Sequence, residues 1–275
     1  MFCGKFGKCS KGDGLIGCLV FLVIIAAAVV IGGGYLGLIP AVSKILGTNK
    51  ARDLGVKYTQ ADAIKAHELS GTKTLAVKEM PTAVTAAGTG AGNNSENNQE
   101  TSSETDLKSG LLFEGTKPAK YSVNSQELTA MANSGWKYGI FSDIQIKIGN
   151  DGVVETSAVL RVDKIISFAK SMGFSQDQIE SAMKEYKIPA ANIPVYAKGN
   201  FEVVNGNVDI RPQVIEISRV KLPQSIVEKA TPQAVSAVDS VIKSFPGFSI
   251  KNLSFADGKM NFEGTVPAKQ TILTE

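Results

Sequence analysis

Two rhythms of apolar and polar residues alternate along the second half of this chain. Ile144, Ile146 and Ile148 are separated by Gln145 and Lys147, a period of two that predicts a half-buried strand. Asn150-Asp151-Gly152 reads as a turn, and the return strand places Val154, Ala158, Leu160 and Val162 on one face. The period then becomes helical. Asp163 is placed to cap a helix with Ile165, Ile166, Ala169 and Met172 on its apolar side, ended by Gly173. Ser175 to Gln178 is a capping-box pattern for the next helix, whose stripe is Ile179, Ala182, Met183 and Tyr186. A second hairpin, Val195 to Val220, turns at Asn205-Gly206, where both residues tolerate positive φ. Pro212 cannot donate to a ladder, which predicts an edge, bulge or kink. Leu222-Pro223 leads into helix, and Thr231-Pro232 restarts it with a cap and a first-turn proline. Val235, Val238, Val241 and Ile242 form the stripe of that helix. A last hairpin, Ile250 to Val266, turns at Asp257-Gly258, with Met260, Phe262 and Gly264 on one face. Earlier in the chain, Asn124 to Glu127 is a capping box, and Thr59 to Asp62 opens a short helix stopped by Gly71. Three hairpins separated by amphipathic helices, without the crossover spacing of a parallel sheet, predict an α+β domain with an antiparallel sheet.

One stretch breaks both rhythms. Gly14 to Ile39 carries no charged residue, and Tyr35 sits near its end. A helix needs roughly 20 mostly apolar residues to cross a bilayer, so the run predicts a single N-terminal transmembrane helix. Residues 1–13 form a short head with Lys5, Lys8 and Lys11. Lys44, Lys50, Arg52 and Lys57 beyond the run leave the charge bias undecided. The head is expected in the cytoplasm, with the large domain outside, because short heads with large trailing domains commonly insert that way. A cleavable signal at Ala26-Ala27-Ala28 is the rival reading, and a lipid-modified Cys18 a weaker one, because a lipobox cysteine follows its apolar segment. Residues 40–82 read as a juxtamembrane segment with the short helix, and 83–106 as a disordered linker or long loop, since almost no large apolar side chain occurs there. Residues 107–275 are the expected extracytoplasmic α+β domain.

Composition removes several kinds of chemistry. The net charge is +3, with both signs interspersed, so there is no basic stripe for nucleic acid. All three cysteines, Cys3, Cys9 and Cys18, lie at or before the apolar run, leaving the domain without disulfides or thiolate chemistry. His67 is the one histidine, with no sequence neighbour to complete a triad or metal site. Asp143 and Glu155 are a carboxylate pair in name, but their strand positions read as solvated polar faces. The expectation is a chain that is not an enzyme and takes no cofactor or metal.

The segment FEVVNGNVDIRPQVIEISRVKLPQSIVEKA, Phe201 to Ala230, resembles YpmS-like bacterial envelope proteins: a strand, an Asn-Gly turn, a second strand and a Leu-Pro step into a helix. The layout is also similar to LmeA-like phospholipid-binding proteins, grouped with the TULIP lipid-binding modules. Tyr121 to Leu128 resembles the opening these families share, and the likeness extends over Lys120 to Ala268. Residues 40–118 have no counterpart in it, and the Asn/Ser/Glu-rich segment departs from the family layout. The resemblance implies a curled sheet wrapped around helices, with an apolar groove for acyl chains.

On that basis the expected function is membrane-anchored, extracytoplasmic binding of a phospholipid-like ligand, with the membrane as partner. The helix stripes supply the candidate groove lining: Ile165, Met172, Ile179, Met183, Val235, Val238 and Ile242. The alternative is a membrane-tethered structural or protein-interaction domain. A lipid carrier needs a groove, and an adaptor needs a closed core with an exposed patch.

Overall fold

The computed structural model describes residues 50–79, 110–133, 137–171, 174–185 and 192–274. The head, the uncharged run of residues 14–39 and the segment 83–106 lie outside the described residues. Among those described, no helix is long and apolar enough to cross a membrane.

Nine strands and five helices make up the described fold. Helix α1 (Gln60–Ser70) starts at a capping box between Thr59 and Asp62 and ends at Gly71, whose φ of 71° only glycine adopts without cost. Strand β1 (Lys73–Val77) follows. Strand β2 (Leu111–Asn124) runs straight into α2 (Ser125–Ala132), capped by Asn124 and Glu127. Strands β3 (Phe141–Ile148) and β4 (Val154–Leu160) form the first hairpin. Helices α3 (Val162–Ser171) and α4 (Gln176–Glu185) come next. Strands β5 (Ile193–Val204) and β6 (Asn207–Ile217) form the second hairpin, with two-residue β7 (Val220–Lys221) turned back on it. Helix α5 (Gln224–Ser244) precedes the last hairpin, β8 (Ser249–Ala256) and β9 (Lys259–Leu273).

The expected fold class, a transmembrane helix followed by a curled antiparallel sheet, needs correction. The class is α+β, but the sheet is mixed, because β1 pairs parallel to β9 from Lys73↔Lys269 to Val77↔Leu273. The hairpin count missed this strand, since a five-residue edge strand half open to solvent shows no clean alternation. β1 and β8 share one edge of β9 while β2 runs along the other. In the same way β4 and β8 share one edge of β5, opposite β6. Residues 50–77, read from sequence as a juxtamembrane segment, thus belong to this fold.

Each hairpin turn follows its chemistry. Asn205 and Gly206 have φ of 51° and 79°, and Asp257 and Gly258 have 52° and 72°. At Pro212 the register slips, with Lys198 opposite Val214 and Gly199 opposite Pro212, the bulge expected of a proline in an edge strand. Two local expectations fail. Asp163 does not cap α3: it binds Arg161, and the Val162 amide is met instead by the Asn192 side chain at 3.2 Å. Thr231-Pro232 does not restart a helix either, for α5 is continuous through it. The Thr231 hydroxyl donates to the Val227 carbonyl at 2.8 Å, and Val227, Ala234, Val238 and Ile242 keep one buried stripe on both sides of the proline.

The open edge of β3 is closed by side chains of α2. Ser125 Oγ accepts from the Ile148 amide at 3.0 Å, Thr129 Oγ1 from Ile146 at 3.0 Å, and the Asn133 side chain from Ile144 at 3.2 Å. Thr129 and Asn133 also donate to the Ile146 and Ile144 carbonyls. Residues four apart on a helix face advance about 6 Å, close to two residues of strand, so the rows match. α1 docks on this helix through Lys65 and the buried Glu127, 2.6 Å apart. The larger of two hydrophobic clusters includes Phe201 and Val203 of β5, Leu253 of β8, Met260 and Phe262 of β9 and Val238 of α5, and the smaller holds Leu111 and Phe113 of β2 and Ile272 of β9.

Candidate functional site

The helix stripes expected to line a groove divide into two groups. Val238 has no exposed surface and Ile242 only 8%, and both are core residues, with Val235 packed beside them. Val238 and Ile242 fill the interior, and half-buried Val235 lies at its margin. Ile165 and Met183 are half buried at the margin of that core, and Ile179 is buried at 8%. Met172 lies outside the described residues. Ile165 of α3, Met183 of α4 and Val235 of α5 therefore border solvent, while Ile179, Val238 and Ile242 are buried.

A second cluster lies on the other face of the sheet, where sequence reasoning placed only solvated polar residues. Gln145, Ser157, Tyr196 and Glu216 are cross-strand partners in one row over β3, β4, β5 and β6. Residues 50–56 cross this row as a strap. Arg219 donates to the carbonyls of Lys50 and Ala51 at 3.4 and 3.2 Å. Arg52 reaches Glu216 at 2.6 Å, and its guanidinium lies 4.1 Å from the centre of the Tyr196 ring. The Leu54 amide donates to Gln145 Oε1 at 2.8 Å. Three strand spacings span about 14 Å, which residues 50–54 cover when nearly extended.

The electrostatics follow from this cover. The Glu216 side chain is only 12% exposed, and Arg52 at 2.6 Å is its ion-pair partner. The Tyr196 hydroxyl donates to Glu155 Oε2 at 2.7 Å, and Lys198 lies 3.7 Å from the other oxygen. Burial, followed by the neighbouring Glu155 carboxylate, pushes the Tyr196 phenol up to about 12, so it stays a donor. Ser157, between Gln145 and Tyr196, is fully buried and its hydroxyl has no partner. Glu155 is thus no member of a carboxylate pair: Asp143 sits exposed at a bulge of β3 with φ of 52°.

A shallow depression of about 310 Å³ lies over β2, β9 and β8, lined by Lys120, Ser122, Asn252, Ser254, Asn261 and Glu263. Within it Ser122 donates to Asn261 at 2.5 Å, and Glu263 holds Lys251 beside it at 2.7 Å. His67 is half buried beside Thr74, with 3.3 Å between its Nδ1 and the hydroxyl, and burial holds its pKa below the ordinary value. Among the described residues no three His, Cys, Asp or Glu side chains gather to hold a metal ion.

No protein-family model matches the chain, and neither curated proteins nor solved structures match it. Arg52, Tyr196 and Glu216 escaped the sequence reading because a strap crossing strands at right angles has no period. The one trace was Ser157 and Val159, small and apolar on a face otherwise polar.

Proposed function

We propose that this chain is a non-catalytic, membrane-associated module of the cell envelope that holds a phospholipid-like ligand, with the uncharged run 14–39 as its membrane-associating element. The observation that carries the reading is the helical insertion between β4 and β5. These strands are hydrogen-bonded neighbours up to Leu160↔Ile193, where a short turn would suffice to join them. The chain instead inserts residues 161–192. Ile165, Ile166 and Met183 of its helices lie half buried on the core, and Phe174 between the helices is 50% exposed. An apolar surface divided between core and solvent is where acyl chains exchange for side chains, and the methionine thioether adapts to irregular apolar ligands. Burial of eight methylenes contributes about 6 kcal/mol before ordering costs.

The test is a chain beginning at Lys50, purified without detergent. Organic extracts should contain phospholipid, and Met183→Asp should lower uptake of a fluorescent phospholipid with the fold intact. A lipid-free protein that takes up none at micromolar concentration sinks the reading in favour of a tethered interaction domain. That second reading is favoured by Val238, whose complete burial closes the core along α5.

A further inference from the structure

We infer that the β6–β7 turn, Ser218 to Lys221, is the point of the domain that meets an anionic lipid surface, and that the strap of residues 50–56 holds it there. The inference rests on the membrane association proposed above and adds an orientation to it.

The strap enters the fold at this turn, because Arg219 binds the carbonyls of Lys50 and Ala51. The turn is fixed to the body in its own right: the Ser218 amide donates to the Pro194 carbonyl at 2.8 Å, and β7 pairs with β6 at Glu216 and Ile217. Ten residues, 40–49, separate Ile39 from Lys50, so the entry point lies at most about 35 Å along the chain from the uncharged run. Without Arg52 between Glu216 and Tyr196, and Leu54 on Gln145, those residues would tether a domain free to tumble. With the strap seated, the direction is set.

The chemistry at the turn suits headgroups. Val220 is 46% exposed and flanked by exposed Arg219 and Lys221, with exposed Lys50 alongside. Glu216, paired across the turn with Lys221, is already matched by Arg52. An apolar side chain between cations is the surface form of an interfacial anchor: the cations meet phosphate and the valine enters the acyl boundary.

The hairpin carries its own control. Val204, 51% exposed, sits at the opposite end, beside the Asn205-Gly206 turn. β6 runs between the two ends over Asn207–Ile217, about 36 Å of strand. That distance is as long as the tether is at full stretch, so the two valines differ in access to a bilayer.

The test uses the full chain with Trp136→Phe, carrying either Val220→Trp or Val204→Trp, in phosphatidylglycerol–phosphatidylcholine vesicles with brominated acyl chains. Val220→Trp should lose at least about half its emission relative to unbrominated vesicles, as a side chain at the acyl boundary does, and Val204→Trp should keep it. Adding Arg52→Ala should reduce the difference between the two positions, and replacing phosphatidylglycerol by phosphatidylcholine should weaken the quenching at Val220→Trp. A chain that floats with the vesicles but shows equal quenching at both positions, or none at Val220→Trp, overturns the orientation while leaving membrane association standing. A chain that does not float with the vesicles overturns both.

Discussion

At the scale of single residues, Arg52 joins the strap to the sheet by three means: charge, a hydrogen bond and a cation over an aromatic face. Arg52→Ala leaves the Glu216 carboxylate 12% exposed without its partner, a loss of about 2 kcal/mol on the scale of charge-assisted hydrogen bonds. Arg52→Lys keeps the charge but not the planar group over Tyr196, and should recover only part of it. Urea unfolding of the three chains side by side checks the order. His67 supplies a pH dependence at this scale. Burial lowers its pKa, so the folded state binds fewer protons than the unfolded one just below the ordinary value of about 6.5. Its contribution to stability is complete above that pH and is lost as the pH falls towards the lowered folded value. The urea midpoint should drop between pH 7.5 and pH 5.5, and His67→Gln should flatten that part of the profile. A profile of the same slope in the variant would assign the effect to other groups.

At the scale of elements, the alternation of Ile144, Ile146 and Ile148 announced β3, and Asn124 with Glu127 announced the start of α2, but nothing in either pattern announced that the helix caps the strand. Side-chain hydrogen bonds between Ser125, Thr129 or Asn133 and a strand edge leave no trace in hydrophobic periodicity, since these residue types also suit solvent. The same limit hid the first part of β2. Leu111, Leu112 and Phe113 are all buried, an unbroken apolar run that fits strand and helix equally. Pro232 shows the opposite failure: a strong local signal was overruled because the stripe from Val227 to Ile242 packs α5 against β6 and β8. The edge cap makes a direct prediction. Thr129→Val matches the shape of threonine but strands the Ile146 amide and carbonyl in a fully buried site, costing about 1–3 kcal/mol. Hydrogen exchange at Ile146 should accelerate with it, while Thr129→Ser should keep the protection. Unchanged exchange in the valine variant would show that β3 keeps its edge without the helix.

At the scale of the whole molecule, the predicted lining turned out to mix two environments that sequence periodicity cannot separate. A helical stripe has the same spacing whether it faces a closed interior or a surface shared with solvent; only the packed fold distinguishes Val238, with no exposure, from half-buried Met183. The strap was out of reach for a different reason, because its partners at Gln145, Tyr196 and Glu216 are brought together by strand register alone. This division yields a prediction that separates core from margin. Val238→Asp places a carboxylate where no partner or water reaches it, and such burial costs far more than a domain of this size has to spare. It should abolish cooperative unfolding, with lipid uptake lost only as a consequence. Met183→Asp can turn its carboxylate towards solvent, so its melting curve should stay cooperative while uptake falls. The comparison decides between the two readings of the molecule. Should Met183→Asp melt cooperatively and take up fluorescent phospholipid as the parent does, the helical insertion has no part in ligand entry, and its exposed Phe174 is better placed on the surface of an interaction domain.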